Sequence, residues 1–238
     1  MTENDDTKLA GRFRDEDRIA SGRHLILFDD AGNEEMVRPS SKIHFRGDCG
    51  LIRIHQSTYR RSDKIRVICG DRSYVEINRG VVNFLLSVEC EAPGSTVVIG
   101  RNATVMTARI RVTAEPDLEC IIGSGALISA NVNFRPSDGH TIFDINNPLN
   151  VLNEPLRGIH VGNHVWIGAD VTILKDVTIP DDCVIGRGSL VTCRPYETHS
   201  IIAGVPARTI RTGVSWSHKH IGDHRREYLA RAAGKAEG

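Results

Sequence analysis

Residues 159–191 read IHVGNHVWIGADVTILKDVTIPDDCVIGRGSLV, and they decide the fold. Every sixth residue from Val161 is Val or Ile: Val161, Ile167, Ile173, Ile179, Ile185 and Val191. The slot four after each of the first five holds Val165, Val171, Val177, Cys183 and Ser189, all small or β-branched. The slot just after the aliphatic holds Gly162, Gly168, Leu174, Pro180, Gly186 and Thr192. No α-helix has this period, and a helix interior does not tolerate so much Gly, Pro and β-branched side chain. A short repeat with one buried aliphatic per unit is a solenoid whose coils stack. Strands stack at about 4.7–4.9 Å through backbone hydrogen bonds, so the aliphatics form a shared inner column. The small fourth slot keeps a narrow core from overfilling. The Gly slots are expected at corners with unusual φ.

Outward from this stretch the pattern weakens in both directions. Upstream, the rhythm is visible at Ile99-Gly100, Val105, Ile122-Gly123, Ile128 and Phe134. It stumbles at Arg111, which falls in an inward slot. Residues 24–97 alternate short strands and turns, such as Ile65-Arg66-Val67-Ile68 before Gly70-Asp71. These are read as irregular early coils of the same solenoid; a separate small β-sandwich is the alternative. Residues 1–22 are polar and expected to be loosely held. Residues 213–238 form an extension with a short helix expected over Arg225–Ala233. The domain plan is therefore 1–22 flexible, 23–97 irregular β coils, 98–212 regular repeat with an inserted loop at 135–158, and 213–238 partly helical.

Composition sets bounds. The chain has 238 residues, with Lys+Arg and Asp+Glu both 30, so it is not a general polyanion binder. Its six cysteines form no CxxC and no metal spacing. They read as reduced core thiols and imply a cytoplasmic location. The charged N-terminus has no apolar leader, and no apolar run approaches a membrane span. The spacing of His218, His220 and His224 is unremarkable and no carboxylate pattern frames them, so no metal is expected.

The repeat stops between Arg135 and Gly158, a stretch rich in Pro, Asn, Asp and Gly, and then returns in register. Such a loop in a compact fold is usually functional. It carries Ser137-Asp138-Gly139-His140. Asn131 lies in the coil before it, and Trp166 at an outward slot in the coil after. Outside the family context these would be a polar surface loop with a histidine and an aromatic filling a crevice.

The segments SDGHTIFD, HVWIGADVTILKDVTIPDDCVIGRGSLV, AGVPARTIR and VSW resemble the hexapeptide-repeat acyltransferases, and among them the sugar- and polysaccharide-modifying O-acetyltransferases of the galactoside/maltose and lipopolysaccharide/capsule kind. The likeness is strongest from about Val98 to Trp216. It implies a left-handed parallel β-helix, a handedness that breaks the usual crossover rule. It implies a homotrimer with sites shared between neighbouring chains, acetyl-CoA as co-substrate, and a sugar or glycan acceptor. It makes His140 the general base on the acceptor hydroxyl. An alcohol is a poor nucleophile at neutral pH, and imidazole is the side chain suited to take its proton and return it to the leaving thiolate. Asp138 is the near candidate to orient the imidazole; a carboxylate or carbonyl of another chain is the alternative. Asn131 and Trp166 would contact the acceptor, with Trp166 also lining the pantetheine cleft. The backbone N–H of Gly168 or Ala169 would hold the oxyanion. Gly186, Arg187, Thr192, Pro206, Arg208 and Arg211 would complete the CoA site, guanidinium groups suiting its phosphates. Thr192-Cys193-Arg194-Pro195 departs from the family's Thr-Lys-Asp, so the usual phosphate lysine is missing there. The readings kept beside this one are N-acetylation of an amino-sugar nucleotide and an inert β-helix scaffold.

Overall fold

The computed structural model describes residues 16–60 and 62–236. Its strands form stacked coils of three strands each. The first face carries seven parallel strands, from Arg23–Phe28 through Gly50–His55, Tyr74–Ile77, Thr96–Ile99, Glu119–Ile122 and Gly158–Val161 to Val177–Ile179. A short antiparallel strand, Glu34–Met36, edges the first of them. The second face of the later coils is built by Leu127–Ile128, Trp166–Ile167, Val184–Ile185 and Ile201–Gly204. The third stacks Val132–Arg135, Thr172–Leu174 and Leu190–Val191. In the earlier coils Gly80–Cys90 and Ala103–Val112 run from the second face to the third without a break, which joins those two faces into one sheet. Residues 24–97 therefore belong to the same stack and not to a separate sandwich.

Register explains the core. On the first face Leu25, Ile52, Val75, Val97, Cys120, Ile159 and Val177 lie in line, and all are buried. The six repeat aliphatics from Val161 to Val191 are at most 4% exposed, and the small residues between them at most 2%. Each buried Val or Ile contributes roughly 1.5–3 kcal/mol. All six cysteines are free, and Cys69, Cys90, Cys120 and Cys183 lie in the core. Burial pushes the Cys69, Cys120 and Cys183 thiols up, which keeps them protonated and inert.

Three expectations are corrected. The corner glycines do not have unusual φ. Among residues with φ in the left-handed region are Asn102, Gly125, Asn131, His164, Asp170, Asp176 and Asp182, each two residues after the slot that follows the repeat aliphatic. What the glycines permit is close stacking: a Cβ on Gly123 would lie 2.6 Å from Gly162 carbon, and one on Gly168 would lie 2.7 Å from Arg187 nitrogen. Arg111 does not point inward. The strand Ala103–Val112 rounds a corner, so its buried residues become Ala108, Ile110 and Val112. Arg111 faces out, and its Nε donates to Glu89 of the register-paired strand at 2.9 Å. Finally, the segment expected to be loose, 1–22, is ordered from Glu16 on. Residues 1–15 lie outside the described ones, but Glu16–Ala20 is helical and buries Ile19 against Ile26, Leu51, Tyr74, Val98 and Ile121.

The C-terminal helix spans Ile221–Ala236. No described helix is long and apolar enough to cross a membrane.

Chain length per coil varies. Val97 and Cys120 are 23 residues apart, Cys120 and Ile159 are 39 apart, and Ile159 and Val177 are 18 apart. The excess leaves the stack where the third face turns into the first.

Candidate active site

His140 sits on the large insertion at that third-to-first edge, between Val132–Arg135 and Gly158–Val161. The insertion is not featureless. It holds a short antiparallel hairpin, Phe143–Asp144 with Asn147–Val151. Its neck is pinned by two residues of the next turn, Lys175 and Asp176. Asp176 Oδ1 accepts from the backbone N–H of Leu156, Arg157 and Gly158 at 2.9, 3.0 and 3.3 Å. Lys175 Nζ donates to the Asp138 carboxylate and, at 2.8 Å, to the Asn153 carbonyl. Asn153 Nδ2 in turn reaches both Asp138 Oδ2, at 2.9 Å, and the His140 carbonyl, at 2.8 Å. The hydrogen bond from Lys175 holds the Asp138 carboxyl below its usual pKa against the opposing effect of burial, with a lesser contribution from Asn153. Asp138 thus grips the neck; among the described residues no hydrogen bond joins its carboxylate to the His140 ring. The His140 side chain opens on a cleft of about 190 Å³ that Glu115, Thr141 and Glu154 also line.

Because Asp138 titrates below its unfolded value, its clamp is complete above the unfolded carboxylate pKa of about 3.9 and fades as pH falls through the lower folded value. The carboxylate is more than a third exposed, so the contribution is small, about 0.2–1 kcal/mol. Lys175→Met is expected to speed amide hydrogen exchange across residues 139–153 at pH 7 and to return the Asp138 titration to the ordinary range. Unchanged exchange would show that Asp176 alone holds the neck.

The other sequence candidates gather elsewhere. Asn131, Gly168, Ala169, Gly186 and Arg187 lie on the second-to-third edge in three successive coils. Asp170, which sequence reasoning missed, links them: Asn131 Nδ2 donates to its Oδ1 at 3.1 Å and Arg187 Nε to its Oδ2 at 3.0 Å. Those two hydrogen bonds, Asn131 first, lower the Asp170 pKa. The two amide candidates for the oxyanion separate here. Gly168 N–H is spent on the Ile185 carbonyl at 2.8 Å. Ala169 N–H has no acceptor among the described residues. Gly186 serves packing, since a Cβ there would lie 2.8 Å from the Ala203 Cβ.

Trp166 lies on the second face, 39% exposed, with Nε1 donating to Ser129 Oγ at 3.3 Å. Its ring is 6.0 Å from Trp216, and Trp216 stacks on His164 at 4.3 Å. The Trp216 Nε1 donates to the His164 carbonyl at 2.7 Å, which brings the C-terminal segment back onto the stack. Thr192 follows the last third-face strand, and its carbonyl accepts from Tyr196. Pro206, Arg208 and Arg211 lie on the hairpin Ile201–Gly204/Ala207–Arg211 that caps the second face. Arg208 folds onto its own backbone, donating to the Ala207 carbonyl at 2.9 Å. Within one chain, then, His140 is on one edge and Asn131, Ala169 and Arg187 are on another.

Residues 158–193 match the bacterial transferase hexapeptide family, described as six repeats. The chain carries the bacterial transferase hexapeptide repeat. It is 38% identical over 119 residues to the galactoside O-acetyltransferase of Escherichia coli strain K12, covering 50% of this chain and 55% of that one. It is 30% identical over 124 residues to the polysialic acid O-acetyltransferase of Escherichia coli O1:K1, covering 52% of this chain and 39% of the relative. The chain thus spans about half the length, or less, of these curated relatives. The crystal structure of the polySia-specific acetyltransferase NeuO superposes with a TM-score of 0.62 at 24% identity, covering 87% of this chain and 98% of that one. The likeness in fold therefore extends well beyond the repeat, into the irregular early coils.

Proposed function

We propose that this protein is an acyltransferase that moves the acetyl group of acetyl-CoA to a hydroxyl of a sugar or surface polysaccharide. The observation that carries this reading is the pairing of a hexapeptide stack with a histidine on a pinned insertion. The names of the relatives support the same chemistry. His140 takes the proton of the acceptor hydroxyl as that oxygen attacks the thioester carbonyl carbon. The carbonyl oxygen becomes an oxyanion, and Ala169 N–H is the backbone donor available for it. Collapse breaks the C–S bond, and the imidazolium returns the proton to the CoA thiolate. No acyl-enzyme is needed.

The split of the site between two edges supports a homotrimer of left-handed β-helices. In it the His140 loop of one chain faces the Asn131–Asp170–Arg187 edge of its neighbour. CoA would lie along that cleft toward Thr192, Pro206, Arg208 and Arg211, with Trp166 beside acceptor and pantetheine. Reduced cysteines and acetyl-CoA both fit a cytoplasmic enzyme.

The test is transfer from labelled acetyl-CoA to a panel of simple sugars, amino-sugar nucleotides and glycan extract, with mass measured by light scattering. Label on a hydroxyl and a mass of three chains, each 26.2 kDa, is the expected result. Label on an amine would move the chemistry to N-acetylation. No transfer and no acetyl-CoA binding would leave an inert scaffold. A single-chain mass at micromolar concentration would remove the shared site.

A further inference from the structure

Where the first face turns into the second, the early coils enclose a cleft of about 280 Å³ that none of the candidate active-site residues lines. Its floor is Glu76 and Asn78, 5% and 7% exposed. Phe28 and Arg53 form a wall, and Asp30 and Arg101 stand at the rim. The buried charge is already compensated. Glu76 accepts from Arg53 at 3.0 Å, from Asn78 at 2.9 Å and from the Tyr74 hydroxyl. Arg53 also pairs with Glu34, and Asp30 with Arg79. Both N–H groups of Asn78 are used, on Glu76 and on the Ile99 carbonyl. That leaves its Oδ1 as an acceptor with no partner among the described residues, on a side chain more than nine-tenths buried. The amide orientation follows from the carboxylate beside it, which would repel an oxygen. Arg101 has no carboxylate partner among the described residues.

These groups select a ligand class. A lone cation finds its carboxylate already neutralised. A phosphate finds a single unpaired guanidinium, with Asp30 opposing it. A hydroxyl, donor and acceptor at once, suits an unpaired amide oxygen beside a carboxylate and a guanidinium. The volume lies just below the roughly 300–1,000 Å³ of drug-sized ligand sites, which points to one small unit and not a nucleotide.

The cleft also has a position along the stack. Gly125 N–H bonds to the Arg101 carbonyl and His164 N–H to the Ser124 carbonyl, each at 2.8 Å, so these turns form one continuous edge. Two coil spacings, about 10 Å, separate Arg101 from His164, where Trp216 and Trp166 begin. The geometry points to a remote subsite in which one sugar unit of a polymeric acceptor is held by its hydroxyls while the chain runs along this edge toward Trp166. This rests on the transferase reading and narrows its acceptor to an oligomeric glycan.

The experiment uses full-length His140→Ala, without acetyl donor, on an array of mono- to octasaccharides from microbial surface glycans. Arg101→Ala and Asp30→Asn are introduced separately; both side chains are exposed, and the folded mass and melting point of each variant are checked. Binding that rises with chain length and weakens about tenfold or more in both rim variants is expected. No glycan binding, or binding that both variants leave unchanged, overturns the subsite. Glycan binding by this cleft in a protein whose wild type transfers no acetyl group would sink the transferase reading alone.

Discussion

His140→Ala is expected to lower acetyl transfer by about 10²–10⁴-fold, the usual cost of losing a general base. The loss should fall on kcat, with the acceptor KM nearly unchanged, since the imidazole acts on the proton in flight and not on the bound sugar. Folding should not suffer. The residue is exposed, and the contact it makes to the insertion neck is through its carbonyl, which alanine keeps. Asp138→Asn serves as the comparison. Its carboxylate is bound by Lys175 and Asn153, so that change should loosen the insertion and cost much less than loss of the base. Equal transfer by wild type and His140→Ala would remove His140 from the reaction. Equal losses in the two variants would mean that the insertion's placement, and not the imidazole, limits the rate.

The second large effect is on stability. Phe134 is fully buried on the third face, in register with Ile110 below and Ile173 above. Phe134→Ala should destabilise by about 3–5 kcal/mol through lost burial and the cavity left behind. Against a total near 5–15 kcal/mol this is a large fraction. At roughly 2–4 °C per kcal/mol for a chain of this size, the melting point should drop by about 6–20 °C. Phe134→Leu should recover most of it. In a stack where each coil touches its neighbours, the damage should centre on Ile110 and Ile173 and be read there by hydrogen exchange. A shift under 2 °C would mean the coils relax to fill the space.

The inner columns were legible in the sequence because one slot in six has a single physical duty, and Val or Ile performs it. The early coils were legible for a related reason, the period of two inside each strand. The duty of the glycines was not. A six-residue period shows that a corner recurs, but not whether glycine is there for φ or for close approach; here the left-handed φ falls on Asn, Asp and His. The frame shift at Arg111 was hidden because a strand that rounds a corner changes which residues face in without changing their composition. His140, Trp166 and Asn131 were singled out as candidates through family motifs, whereas Lys175, Asn153 and Asp170, which hold the insertion and link the second-to-third edge, were missed. The partners of Lys175 and Asp170 lie 17 to 39 residues away in sequence and meet them only through stacking. That Gly168 and Ala169 differ was equally invisible, since it depends on which amide the next coil consumes.

The extra length of the coils between Val97 and Ile159 is shed at a single edge, and the largest excess is tied down by two adjacent residues, Lys175 and Asp176. Evolution can therefore exchange that segment as a cassette. A new insertion needs only an oxygen for Lys175 and a few amides for Asp176, while the columns on either side keep their pitch. The length and sequence of this segment can therefore change while the repeat on either side stays the same, at little risk to the scaffold.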